Sequence, residues 1–162
     1  MNKKNNPVMY FTIFVAAASL LFSGYLLFVR QSSNSMSIYC STILQLAHKD
    51  PDLSATLDLT FRLQRNHTGQ VALSGNIQKD GSSQVISRSM LFDYEIENPD
   101  EVSFKNMRYA KNLKDTASDE DFKMNFFYVP EGQKRTIKIH AIQNAYLIEN
   151  VHSPVFLCVN KR

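Results

Sequence analysis

The chain has 162 residues, which is room for one domain and little else. It carries 18 Lys and Arg against 15 Asp and Glu, but Lys3, Lys4 and Arg30 flank an apolar run near the amino terminus. Beyond residue 30 the basic and acidic residues balance, so this larger part is formally neutral. That balance argues against a nucleic-acid-binding surface.

The apolar run, residues 8–29, reads VMYFTIFVAAASLLFSGYLLFV and contains no charge. As a helix its 22 residues would reach about 33 Å, enough to cross a hydrocarbon layer of about 30 Å. A cleavable signal peptide is the rival interpretation, but the run is long for one and no small-x-small cleavage site follows it. We therefore expect a retained transmembrane helix that acts as a signal anchor.

The charges at its two ends set the expected orientation. Lys3 and Lys4 precede the run with no acidic residue among them, which favours a cytoplasmic tail at residues 1–7. Residues 30–37 then form a short polar tether. Residues 38–162 are expected to form a domain on the far side of the membrane.

This domain alternates apolar and polar residues as half-buried strands do. In residues 57–64, for example, every second residue is apolar, and the pattern resumes after His67-Thr68-Gly69. Asp80-Gly81 is typical of a tight hairpin turn. Further strands are expected at residues 83–97, 102–109, 122–129, 135–143, 145–149 and 154–159.

Two segments leave more freedom of interpretation. Residues 40–48 suit an opening strand, with a short helix as the alternative. Residues 111–121, KNLKDTASDED, have no periodicity and are expected to be a solvated polar loop. The sequence thus predicts an all-β fold, an antiparallel meander of about eight strands that forms a small barrel or a sandwich.

Motifs for catalysis or metal binding are missing from the sequence. It has no G-x-S-x-G elbow, phosphate-binding glycine loop, H-E-x-x-H helix or C-x-x-C pair. The four histidines are scattered singly, and the run Asp119-Glu120-Asp121 lacks the spacing of a calcium loop. We expect no enzyme, no cofactor and no metal site.

A candidate surface for a ligand or a protein partner is aromatic and basic. Arg88 interrupts the apolar face of its strand, and the predicted strand at residues 122–129 is apolar on both sides. The candidate residues are Arg88, Phe122, Phe126, Phe127 and Tyr128.

Cys40 and Cys158 are the only cysteines. On the expected topology they lie in an oxidising compartment, so we expect a disulfide rather than two free thiols. The bond requires Cα atoms within about 7 Å, which would make the first and last strands neighbours.

The layout of the whole chain resembles the FidL-like family of single-pass enterobacterial inner-membrane proteins. The resemblance rests on the amino-terminal span, Cys40 soon after it, LDLTFRL with GQVALSGNI, ISRSMLFDYE and a terminal SPVFLC. It implies a single-pass inner-membrane protein with a periplasmic β-domain. Some members are encoded beside ToxR-type transmembrane regulators, and the small membrane partners of such regulators have a similar design.

Two functions are therefore expected. The first is an accessory protein that binds and stabilises or modulates a membrane partner, such as a ToxR-type regulator. The alternative is a periplasmic β-barrel that binds an apolar or bile-salt-like small molecule.

Overall fold

A computed structural model describes residues 7–32, 35–49, 52–125, 128–130, 132–150 and 153–161. The chain divides into two units, Met1–Ser35 and Met36–Arg162. The first unit contains helix α1, Pro7–Ser32, which confirms the predicted helix. Its segment Tyr10–Leu27 has a mean hydropathy of 1.8 and is long and apolar enough to cross a membrane.

The second unit is a closed barrel in which each strand pairs antiparallel with the next along the chain. This confirms the predicted meander and decides for a barrel over a sandwich. The strands are β1 Ile38–Lys49, β2 Asp52–Leu63, β3 Thr68–Lys79, β4 Ser82–Asn98, β5 Glu101–Lys111, β6 Arg135–Ile142, β7 Ala145–Glu149 and β8 Pro154–Asn160.

The hairpin turns have the chemistry that the sequence indicates. Asp80 and Gly81, which join β3 to β4, have φ angles of 48° and 78°. Positive φ at both positions matches the right-handed twist of the strands, and aspartate and glycine tolerate it at low cost. His67, in the β2–β3 turn, also has a positive φ, 63°.

In most strands alternate residues point into the barrel, and their side chains fill it. An eight-stranded barrel is just wide enough for this. The largest fully buried side chains are Tyr94, Phe61, Phe92, Leu57, Leu59, Leu63, Leu73, Ile77, Ile86, Met90 and Ile148. The ring centroids of Phe92 and Phe104 are 4.2 Å apart, so aromatic packing contributes to the core.

The barrel closes where β1 meets β8. Only Cys40 and Ser41 pair with β8, opposite Asn160 and Val159. The disulfide between Cys40 and Cys158 lies beside them, with the two Cα atoms 5.4 Å apart. The structure thus contains the predicted bond and confirms that the first and last strands are neighbours. It also confirms residues 40–48 as strand.

One predicted strand is wrong. Residues 119–125 of the described chain form a short helix, α2, Asp119–Asn125, where an alternating strand from residue 122 was expected. The Ser118 hydroxyl accepts a hydrogen bond from the Asp121 amide at 3.0 Å and so caps the helix. Phe126 and Phe127, two residues of the predicted strand, lie outside the described residues.

Candidate functional site

The predicted residue Arg88 lies under a lid at one end of the barrel. We use "lid" for residues 112–125, the β5–α2 loop and α2. Arg88 is only 7% exposed, and its Nε donates to Asp115 Oδ2 at 2.9 Å. Its Nη2 donates to Asp115 Oδ1 at 3.2 Å and to the Ala117 carbonyl at 2.7 Å. The charge inside the barrel is therefore paired and hydrogen-bonded, as a buried charge must be.

Asp115 is the acidic partner that holds the lid to the strands. Its side chain is fully buried, and its Oδ2 also accepts a hydrogen bond from the Ser87 amide at 2.8 Å. Burial alone would raise the pKa of Asp115. The hydrogen bonds from Arg88 and Ser87 outweigh burial and lower that pKa below its ordinary value.

The helix adds a second ionic contact and an aromatic one. Lys79 Nζ lies 2.6 Å from Asp121 Oδ1, and hydrogen bonds from Lys79 and Ser118 lower the pKa of Asp121. Phe122 is buried, and its ring centroid is 4.7 Å from Arg88 Cζ. α2 therefore covers the arginine with a ring while its acidic residues face neighbouring cations.

Tyr109 of β5 connects the lid to the segment that follows it. Its ring lies 5.8 Å from that of Phe122 and 5.3 Å from that of Tyr128. Its hydroxyl accepts a hydrogen bond from the Val129 amide at 2.8 Å and reaches the Val129 carbonyl at 3.2 Å. Burial raises the pKa of this hydroxyl.

The structure thus brings three predicted site residues, Arg88, Phe122 and Tyr128, into one cluster. Phe122 contacts both Arg88 and Tyr109, and Tyr109 contacts Tyr128. Arg88 and Phe122 are buried and Tyr128 is half-buried, so this cluster presents little surface to solvent. The contacts of Arg88 with Asp115, Ala117 and Phe122 hold the lid against the strands, and we call these contacts the clamp. Phe126 and Phe127 cannot be placed within it.

The barrel interior contains a small apolar cavity. Its volume is about 20 Å³, and its lining includes Phe61, Met90, Phe92 and Phe104. A space of this size corresponds to about one water molecule. The barrel interior is therefore a packed core.

An exposed apolar surface lies elsewhere, where β1 and β8 meet. Val155, Leu157 and Val159 point outward from β8, and Leu157 is 48% exposed. Ile43 of β1 points to the same side and is 65% exposed. We call these four residues the seam patch.

The described residues include few buried polar or charged side chains. No three His, Cys, Asp or Glu side chains among the described residues could hold a metal ion. The buried polar or charged residues there are Arg88, Ser103, Asp115 and Asp121, and three of these four belong to the lid contacts.

Reasoning from sequence missed the acidic side of the clamp and the seam patch. A signal for the first is present, because Ser118-x-x-Asp121 is a capping-box pattern that predicts a helix start. No comparable signal marks Asp115. For the seam patch, the outward residues of PVFLCVN are unusually apolar, and that composition was the available sign.

Comparison with known families identifies the barrel unit. The model of the YqeJ C-terminal domain family matches residues 37–158, which cover β1 through most of β8. No curated protein matches the chain. The matching family bears a different name from the FidL-like family, and the FidL-like naming is not confirmed. Because the match spans most of the chain, this protein belongs to the YqeJ C-terminal domain family.

Proposed function

We propose that this protein is a membrane-anchored accessory protein whose barrel binds and stabilises or modulates a partner in the same membrane. A ToxR-type transmembrane regulator is the partner class that the resemblance to FidL-like proteins suggests. In this proposal α1 crosses a bacterial inner membrane and the barrel lies in the periplasm. The apolar α1 and the excess of lysine before it support this topology.

The seam patch is the observation that carries the proposal. Its four side chains are aliphatic and exposed by between 37% and 65%. Val155, Leu157 and Val159 occupy alternate positions of β8 and so form an apolar row on its outer face. An exposed apolar row on a small domain indicates an interaction site. Tyr39 extends the surface, and Arg62 Cζ and Lys161 Nζ lie 5.7 and 5.8 Å from its ring centroid.

The packed interior favours partner binding over the alternative. Sites for drug-sized molecules are typically about 300 to 1,000 Å³, far above the cavity of about 20 Å³ in this barrel. A bile-salt-like molecule would need the lid to open and the interior side chains to move.

The proposal is tested by placing a charge in the seam patch of the full-length chain. Leu157→Glu should weaken association with the membrane partner by about tenfold or more, because docking would bury an unpaired carboxylate. Leu91→Glu, on β4, is the matched control, since Leu91 is 38% exposed and lies outside the seam patch. The glutamate variants are compared by co-purification from detergent-solubilised membranes. Separate variants that carry a photo-crosslinking residue at position 157 or 91 identify what lies beside each position.

We expect a crosslinked membrane protein with a cytoplasmic DNA-binding domain from position 157 only. Deleting the accessory chain should then shorten the lifetime of that protein in cells. Equal crosslinking from both positions, or equal recovery with both glutamate variants, would contradict the proposal.

A further inference from the structure

Strand β1 has an open edge along most of its length. On one side it pairs with β2 from Ile38 to Lys49. On the other side β8 pairs only with Cys40 and Ser41. Within the described residues no other strand pairs with β1, so residues 42–49 form an edge strand.

The backbone groups that face this open edge can be identified. The Lys161 amide donates to the Tyr39 carbonyl at 2.9 Å, so the backbone of Tyr39 faces β8. In an antiparallel ladder every second residue presents both its N–H and its C=O to the same neighbour. The residues whose backbone groups face the open side beyond Ser41 are therefore Ile43, Gln45, Ala47 and Lys49.

This edge lacks the features that normally prevent strands from pairing between molecules. Residues 42–48 read TILQLAH, without proline and without Lys, Arg, Asp or Glu. Ile43 and Leu46 are 65% and 36% exposed. Proteins usually protect an exposed edge with charge, proline or a bulge. This edge has one charged residue, Lys49 at its end, so residues 42–48 indicate a pairing surface.

A second edge of the same barrel shows the usual protection. β6 pairs with β5 only from Glu101 to Phe104, so no strand among the described residues pairs with residues 105–111 on that side. Their residues include Arg108 and Lys111, and Asn106 has a positive φ of 52° that distorts the strand. The chain protects this edge and leaves the β1 edge bare.

We propose that two copies of this chain pair through β1, antiparallel, with Leu46 on the two-fold axis. The four residues with free backbone groups are symmetric about Leu46, so the edge is complementary to itself. Ile43 of one copy then pairs with Lys49 of the other, and Gln45 with Ala47. This register forms about eight backbone hydrogen bonds and leaves Ser41 paired with Val159.

Charge and side chains also suit self-pairing. No two like charges oppose each other in this register, since Lys49 is the only charged residue in the pairing segment and it lies opposite Ile43. Leu46 lies beside Leu46 of the second copy. This inference rests on the β1 edge and does not depend on the identity of a membrane partner.

The first test separates backbone pairing from side-chain contact. Proline at position 45 removes an N–H that faces the open edge, so it should leave the β1–β2 ladder intact. Gln45→Ala removes the same side chain but keeps the N–H. We measure the molar mass of the full-length chain in detergent by light scattering, with thermal unfolding of each variant as the check on folding.

The wild type and Gln45→Ala should be dimers, and Gln45→Pro should be a monomer that still unfolds cooperatively. A monomeric wild type overturns the proposal. A Gln45→Pro chain that remains dimeric also overturns it, because the contact then does not use this edge. If Gln45→Pro unfolds, Ala47→Pro replaces it, because the Ala47 N–H also faces the open edge, and the same outcomes apply.

The second test reads the register. In the proposed dimer the two Cα atoms at position 46 are about 4.5 Å apart, as in a non-hydrogen-bonded antiparallel pair, and a disulfide can join them. Leu46→Cys should form a covalent dimer on a non-reducing gel. Leu91→Cys, with a similar exposed fraction (38% against 36%), should not.

Equal crosslinking by both cysteine variants, or none by Leu46→Cys, overturns the register. If Leu46→Cys forms a disulfide only with a different protein, the proposal that a second copy of this chain pairs with β1 is wrong.

Discussion

Two regions close this barrel by different physical means. The first and last strands meet through only two pairs of residues, and the Cys40–Cys158 disulfide holds them together. The lid closes the end near the β3–β4 turn through buried and partly buried ion pairs, chiefly Arg88 with Asp115. A covalent bond stabilises the fold by constraining the unfolded chain, and this stabilisation does not depend on the protonation of carboxyl groups. An ionic closure acts only in the folded state and only while its carboxylates are charged.

Removing the covalent closure should have the largest effect. The disulfide joins residues 118 positions apart, and a loop of that length corresponds to about 4 to 5 kcal/mol of stability in the chain-entropy model. We expect the Cys40→Ser, Cys158→Ser double variant to lose about this amount of free energy of unfolding. The measurement is chemical denaturation of the full-length chain in detergent.

The wild type in the presence of a strong reductant is the matched control and should behave like the double variant. A loss below about 1 kcal/mol, well under the chain-entropy value, would mean that the short β1–β8 ladder and the core hold the seam without the bond.

Breaking the ionic closure should have the next largest effect. Asp115→Ala leaves the Arg88 guanidinium buried without its main partner, and such losses cost about 3 to 5 kcal/mol. Asp119 remains 2.9 Å from Arg88 Nη1, but its side chain is 67% exposed. We therefore expect a loss near the lower end, about 3 kcal/mol, measured as the free energy of unfolding.

Two comparisons isolate the buried pair. Asp119→Ala should cost less than about 1 kcal/mol, since exposed ion pairs contribute little. Arg88→Met combined with Asp115→Ala should cost less than the two single changes together, because no unpaired charge remains. Equal losses of unfolding free energy from Asp115→Ala and Asp119→Ala would show that the buried carboxylate of Asp115 is not the main partner that holds the lid.

These two closures also differ in how well the sequence predicts them. Two cysteines in an alternating β pattern leave one pairing, so the disulfide and the neighbouring first and last strands follow from the sequence. Arg88 stands out as a charge on an apolar face, but its partner Asp115 lies 27 residues away in a segment without periodicity. Only the folded chain shows which of the nearby carboxylates is buried.

The open edge of β1 could not be predicted for a related reason. Alternation shows that a segment is a strand, but not how far its neighbour extends. β8 is seven residues long and β1 is twelve, and only two of their residue pairs are in register. The extent of pairing depends on strand divergence in three dimensions, which periodicity does not encode.

Acid should weaken the ionic closure and leave the covalent one intact, and this is the smallest effect. The pKa values of Asp115 and Asp121 in the folded chain lie below their ordinary value of 3.8. Stability from these carboxylates is therefore fully present above about pH 4 and is lost as the pH falls through the folded pKa values. Wild-type unfolding temperatures should be flat from pH 7 to 5 and fall below pH 4.

The difference in unfolding temperature between the wild type and Asp115→Ala, called the gap below, separates the pH dependence due to Asp115 from that due to other carboxylates. Glu95, for example, also has a lowered pKa because Lys105 and Lys134 hydrogen-bond to it, but it contributes equally to both chains. The gap should stay constant down to about pH 4 and narrow as the pH falls below about 4 through the folded pKa of Asp115, since protonated Asp115 no longer pairs with Arg88. A gap that stays constant over this range would mean that Asp115 stabilises the lid as a hydrogen-bonding group rather than as a charge.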